Sequence, residues 1–329
     1  MVSDAVAIIG AGHWGRNHVR NFAKLGALRT ICDFSAQVLD QFAPDYPDVM
    51  RTGDLASVLA DPAIRGVVIA TPAETHGDIA ARAMAAGKDV LIEKPICLDL
   101  DQANALADQA KSAGRILMVG HLLHYHPAFQ AMLKTLQSGR LGQLRYVYSQ
   151  RLALGKIRSE ENALWSFAPH DIAMILALTG TMPDRVASHG GAYVNPQIAD
   201  TTLSYFYFPS GVQAHIHVSW LHPYKDQRLV VVGSEAMAVF NDVAPGTEKL
   251  QLFAHRVSWD GELSSIERGT AVPIEYDMAQ EPLAQECRHF LDCMRTRTPP
   301  VSDAQEAIRV LRVLTACQSS LEGGGMQVP

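Results

Sequence analysis

Three short stretches combine residue types at spacings that could do chemistry. The first is "GAGHWG", which places Gly10, Gly12 and Gly15 in the order G-x-G-x-x-G, with His13 and Trp14 between them. An apolar run, "AVAIIGAG" (5–12), precedes it, and a helical pattern, "GRNHVRNFAKLG" (15–26), follows. In that setting Gly10 permits the tight turn, Gly12 lets a pyrophosphate approach the backbone, and Gly15 allows helix and strand to pack closely. The phosphates would rest on free N–H groups at the positive end of the helix. The next apolar run, "LRTICD" (28–33), ends in Asp33, an acid at the position that bonds both ribose hydroxyls of a dinucleotide. Phe34 and Ser35 bring no positive charge for a 2′-phosphate, so the sequence favours NAD over NADP.

The second stretch is made of two strand ends. "ATPAETH" (70–76) offers Thr71, Pro72 and His76 where ligands of parallel sheets bind, although Thr75 could simply cap the next helix. "IEKP" (92–95) ends an apolar strand on Glu93 and Lys94, charges that are costly to bury without partners. A lysine there can bind a substrate hydroxyl, or exchange a proton if desolvation lowers its pKa. The third stretch, "LWSFAPHDIAMIL" (164–176), sets His170 and Asp171 beside an apolar run. Pro169 reads as the first residue of a helix, with Asp171 serving its N-terminus and His170 projecting from the turn. His121, His124 and His126 follow another strand end and are candidates for contact with substrate or nicotinamide. His215 and His217 alternate along a strand without a third ligand at suitable spacing, which reads as ordinary sheet rather than metal.

These residues need elements to carry them. Over the first third, apolar runs at 5–12, 28–33, 66–72, 89–95 and 115–121 alternate with helical patterns at 15–26, 76–87 and 100–114. That alternation predicts a parallel sheet covered on both faces. After "HYHPAFQAMLKTLQSGRLG" (124–142) the period changes to two, as in "LRYVYSQRLAL", "TTLSYFYFP" and "VQAHIHVSWL", and predicts a largely antiparallel sheet with one open face. A helix over 170–179 interrupts it, and helices over 282–296 and 304–322 close the chain. The expected class is therefore α/β: an N-terminal Rossmann doubly wound parallel sheet and a C-terminal α+β domain. The boundaries expected are 1–122 and 123–329, with helices 282–322 packing back on the first domain.

Composition narrows the function. The 329 residues are 48% hydrophobic and 19% charged, the profile of a soluble globular protein of two domains. A net charge of −6 without a basic run argues against a nucleic-acid partner. No apolar run spans a bilayer and no basic n-region precedes the first one, so a cytoplasmic location is expected. Cys32, Cys97, Cys287, Cys293 and Cys317 are scattered without a CxxC pair, which suits reduced buried thiols and no metal.

Taken together, "GAGHWGRNH", "ATPAETH", "EKP", "GHLLHYHP" and "RTRTPPVSD" resemble the glucose–fructose oxidoreductase/inositol dehydrogenase (Gfo/Idh/MocA) superfamily along essentially the whole chain. The resemblance implies catalytic roles for Lys94 and His170, a cofactor pocket that includes Glu93, Lys94 and His121, and an open sheet that forms homodimer or homotetramer contacts. Two departures are visible. The family's acid four residues before the histidine is Ser166 here, and Leu123-His124 replaces a frequent arginine pair. "LGKIRSEENALWSFAPHD" with "VSWLHP" is similar to a branch that oxidises C3 of UDP-N-acetylglucosamine or its uronic acid, feeding an aminotransferase and a 3-amino sugar for lipid A or surface polysaccharide. In that reading Arg151, Lys156 and Arg158 bind the diphosphate, Tyr125 or Trp165 covers a ring, and Ser166 touches substrate. The alternatives are a ketosugar reductase or polyol dehydrogenase of the same fold, or an NAD-binding sensor without turnover.

Overall fold

The computed structural model describes residues 4–155 and 157–329, and these divide into two compact units, 1–125 with 281–311 and 126–280 with 312–329. The linker lies three residues beyond the expected boundary. The last helix is divided as well: its residues from Arg312 onward belong to the second unit.

The first unit alternates strands and helices: β1 (Val6–Ile9), α1 (Gly15–Lys24), β2 (Leu28–Cys32), α2 (Ala36–Asp40), β3 (Met50–Thr52), α3 (Leu55–Ala60), β4 (Gly66–Ile69), α4 (His76–Ala85), β5 (Asp89–Ile92), α5 (Leu100–Ala113) and β6 (Leu117–Val119). The six strands run in the order β3-β2-β1-β4-β5-β6 and pair in parallel throughout. Every residue of β1, β4, β5 and β6 is buried, because helices cover both faces of the sheet. Strand order reverses between β1 and β4, which is where open parallel sheets bind ligands. A turn of 3-10 helix at Leu122–Tyr125 ends this part of the chain, and α8 (Pro282–Thr296) returns to it. Phe290 of α8 meets Phe22 of α1 edge-on, with ring centroids 6.4 Å apart.

The second unit begins with α6 (Pro127–Gln137), β7 (Leu144–Leu152), α7 (Ala163–Thr179), β8 (Arg185–Gly191), β9 (Thr201–Tyr207), β10 (Gln213–Ser219), β11 (Asp226–Gly233), β12 (Met237–Asn241) and β13 (Leu250–Phe253). The ribbon β14 (Arg256–Asp260) and β15 (Leu263–Glu267) comes next, then β16 (Ala271–Pro273); α9 (Ala304–Glu322) ends the helices. Eight strands form one sheet, β16-β13-β12-β11-β7-β10-β9-β8. It is antiparallel except for β7 and β10, which pair in parallel. Alternate residues of β7, β9 and β10 are buried on one face of the sheet, and α7 packs against these three strands. Tyr146, Tyr148, Tyr205 and His215 project together from this sheet, with the His215 ring 5.4–5.6 Å from the three tyrosine rings. The chain's tail borders β8, where Val186 and Val328 exchange main-chain hydrogen bonds of 2.8 and 2.9 Å.

Helix α7 corrects the reading that Pro169 starts it. Asn162 is the N-cap, its side chain accepting the N–H of Trp165 at 3.1 Å, and Pro169 lies inside the helix. An Asn cap satisfies an otherwise orphaned N–H, and this gain sets the first helical residue at Ala163, six residues earlier than the proline suggests. Thr75 does not cap α4 either: its hydroxyl donates to the carbonyl of Pro72 at 2.8 Å.

Candidate functional site

The glycine-rich turn is built as its spacing requires. Gly10 has φ +85°, and a Cβ there would stand 2.8 Å from the backbone of Ala70. A Cβ on Gly15 would stand 1.9 Å from the carbonyl oxygen of Gly10, so β1 and α1 can meet only over a bare glycine. Gly12 differs, since no protein atom lies within 4 Å of the place its Cβ would take. Internal packing does not demand a glycine there, and the space suits a ligand approaching the backbone. Helix α1 begins without a side-chain cap and without an acid in its first turn, which leaves its positive end to an anion. His13 and Trp14 lie in this turn, and Phe34 is 95% exposed beside Asp33.

Asp33 is buried at the end of β2, and its carboxylate accepts the N–H of Ala11 at 2.8 Å and that of Ser35 at 2.9 Å. Glycines, acid and uncapped helix together fit a dinucleotide, and they would hold its pyrophosphate and ribose.

Glu93 joins the turn to the end of β5. Its Oε1 accepts the Nε1–H of Trp14 and lies 2.7 Å from Nε2 of His18, while Oε2 accepts the main-chain N–H of Lys94 at 3.3 Å. Burial alone would raise its pKa, but His18, Trp14 and Lys94 outweigh burial and hold it below the usual carboxylate value. His76 is buried, with its ring nitrogens 2.7 Å from the carbonyl oxygen of Pro95 and 2.9 Å from that of Thr71. It clamps the ends of β4 and β5 together, and Thr71 is held in turn by Thr75 at 2.7 Å.

The residues after β6 take structural duties that the sequence did not suggest. His121 and His124 both point at Glu306, at 2.6 and 3.0 Å, and all three are buried. Burial pushes Glu306 up, but the two imidazoles prevail and bring its pKa down to about 2. Tyr125 corrects its assignment to a sugar face: it lies in the apolar core of the first unit, with its hydroxyl 2.8 Å from Ser302 Oγ. An aromatic ring following a strand end is equally suited to core packing, and here the core of α8 and β6 claims it.

In the second unit, α7 presents His170 half-buried in mid-helix, with Ser166 buried one turn earlier on the same face. Asp171 does not serve a helix N-terminus. It is fully buried, accepting from Ser149 Oγ at 2.5 Å and from Arg151 Nε and Nη2 at 2.8 and 3.3 Å. Arg151 is thereby corrected too: this buried pair already uses the guanidinium proposed for a diphosphate. Arg158 is half-exposed and pairs with Glu161 at 3.0 Å, and Lys156 lies outside the described residues. Trp165 donates from Nε1 to Gln318 at 3.0 Å, and so does the Asn162 side chain at 2.9 Å. Glu306, His18 and Gln318 were missed, because each acts through a partner distant in sequence. His18 alone left a signal, its place on the buried face of α1.

This arrangement defines an oxidoreductase with a dinucleotide-binding domain. Residues 5–121 match the oxidoreductase family, NAD-binding Rossmann fold, and residues 129–239 match the GFO/IDH/MocA C-terminal domain. The chain belongs to the GFO/IDH/MocA family, and NAD is its cofactor. It is 27% identical to scyllo-inositol 2-dehydrogenase (NAD(+)) of Bacillus subtilis, over 97% of this chain and 94% of the relative. It is 29% identical to UDP-N-acetylglucosamine 3-dehydrogenase of Acidithiobacillus ferrooxidans, over 98% of both chains. The solved structure of that dehydrogenase, GnnA, covers 98% of this chain and 99% of its own, at 26% identity and a TM-score of 0.84. GenD2 from gentamicin A biosynthesis, solved in complex with NAD, shares the fold at 23% identity and a TM-score of 0.84, over 100% of this chain and 96% of its own. No helix of the described residues is long and apolar enough to cross a membrane.

Proposed function

We propose that this NAD-dependent, sugar-type dehydrogenase oxidises the C3 hydroxyl of UDP-N-acetylglucosamine to the 3-keto sugar. The observation that carries the reading is the likeness to UDP-N-acetylglucosamine 3-dehydrogenase over 98% of both chains, in sequence and in fold. NAD, when bound, supplies the hydride acceptor. His170 takes the hydroxyl proton, since an imidazole exchanges protons near neutral pH. Lys94 orients the same oxygen and stabilises the charge that develops on it. With Arg151 held by Asp171, the diphosphate falls to Arg158 and Lys156. The 3-keto product suits an aminotransferase that would make a 3-amino sugar for lipid A or surface polysaccharide. We further assign the enzyme to the cytoplasm, as a homodimer or homotetramer.

A polyol substrate is favoured by the comparable likeness to scyllo-inositol 2-dehydrogenase. The two readings separate when NADH formation is followed with UDP-N-acetylglucosamine, its uronic acid and scyllo-inositol side by side. Turnover of the nucleotide sugar, abolished in Lys94→Ala and His170→Ala, is the expected result. Turnover of scyllo-inositol alone, or near wild-type rates in both variants, overturns it.

A further inference from the structure

Glu286 is the one charged-type side chain of α8 that is fully buried, and neither of its carboxylate oxygens has a hydrogen-bond partner among the described residues. It faces a cluster that the proposed chemistry leaves unused. One of its oxygens lies within 4.8 Å of both an imidazole nitrogen of His18 and a carboxylate oxygen of Glu93. Glu93 is the carboxylate that gathers Trp14 of the glycine-rich turn, His18 of α1 and the main chain of Lys94.

The other titratable groups around Glu286 do not offset a second negative charge. Tyr125, on the turn packed against α8, keeps its hydroxyl on Ser302, and burial with the nearby Glu286 pushes that phenol up. Cys287 on the same helix lies 3.7 Å from His18 Nδ1, and burial, Glu286 and Glu93 all raise its thiol. Arg20 of α1 is exposed and paired with Glu281, and Lys94 acts on Glu93. Burial, and then the charge of Glu93, holds Glu286 well above the ordinary carboxyl range.

We propose that Glu286 is a positioning residue for the cofactor end of this unit: as a neutral acid it lets Glu93 hold Trp14, His18 and the Lys94 main chain together. Once its proton passes to solvent at alkaline pH, a second buried charge opposes Glu93 and loosens that tie. The inference rests on NAD binding and not on the identity of the sugar, so it fails or stands apart from the substrate reading.

The test compares full-length wild type with Glu286→Gln, measuring NADH affinity by fluorescence titration and Tm from mildly acidic to alkaline pH. The amide imitates the neutral acid. Wild type is expected to lose affinity several-fold and to lose Tm as pH rises, while Glu286→Gln keeps both. Parallel pH courses for the two proteins overturn the proposal. If the variant does not fold, infrared spectra of wild type decide: a neutral carboxylic acid carbonyl stretch at neutral pH, lost at alkaline pH together with NADH affinity, supports it. The absence of that stretch overturns it. A Tm raised by zinc or magnesium in wild type but not in Glu286→Gln also overturns it, since His18, Glu93 and Glu286 then bind a cation.

Discussion

The carboxylate of Asp33 accepts the main-chain N–H of Ala11 at 2.8 Å, across 22 positions of sequence. The acid at the end of β2 thus helps set the glycine-rich turn as well as standing where a ribose would bind. Its removal should act on the cofactor through both contacts. Charge-assisted hydrogen bonds contribute about 1.5–3 kcal/mol each, so Asp33→Ala should raise the KM for NAD by roughly 10- to 100-fold. Steady-state kinetics with NAD varied and sugar saturating checks this; an unchanged KM would remove Asp33 from the cofactor site.

Gly12 and Gly15 should respond differently to the same substitution. Gly12→Ala meets no protein atom within 4 Å, so Tm should hold while NADH binding weakens at least about tenfold. Gly15→Ala drives a Cβ to 1.9 Å from the Gly10 carbonyl, so Tm should fall as well. Melting curves with and without NADH separate loss of ligand space from loss of fold.

The Arg151–Asp171 pair predicts a large stability effect without direct chemistry. Asp171→Ala strands a buried guanidinium and should cost about 3–5 kcal/mol in urea unfolding. Replacing both residues with apolar side chains of similar volume should recover much of that loss. If the single variant changes stability by less than about 1 kcal/mol, the pair is not as dry as the structure shows.

Glu306 gives the acid side of the stability profile. Its pKa falls from an ordinary 4.5 to about 2 in the folded protein. The folded state therefore binds its proton less tightly than the unfolded chain does. That stabilisation is complete above about 4.5 and is lost as pH falls towards about 2. A shift of this size corresponds to about 3 kcal/mol at most. Glu306→Gln should lower Tm at neutral pH and flatten its decline through that acid window; an unchanged acid limb would place the titration elsewhere.

Local signals carried much of this structure. The glycine spacing, the acid ending β2 and the alternation of buried strands with helices all act within a few residues of themselves, and they were legible. The features that escaped depend on distant partners. Pro169 looks like a helix start because proline favours the first turn, yet the cap at Asn162 and the packing of α7 on three strands outweigh its missing N–H. Arg151 reads as a diphosphate ligand and Asp171 as a helix N-terminal acid until β7 and α7 bring them together. His121 and His124 look like ligands for substrate or cofactor because their carboxylate partner, Glu306, lies more than 180 positions away.

The short pairing of Val328 with Val186 bears on solubility. β8 is the last strand on its side of the eight-stranded sheet, and a bare outer strand offers unpaired N–H and C=O groups to any passing chain. The tail takes up part of that row, and Gln327 accepts a bond from Arg185 beside it at 3.1 Å. Val328 therefore occupies main-chain groups of β8 that would otherwise be open to self-templated pairing. A chain trimmed before Met326 would keep its chemistry but present a sticky border to its neighbours.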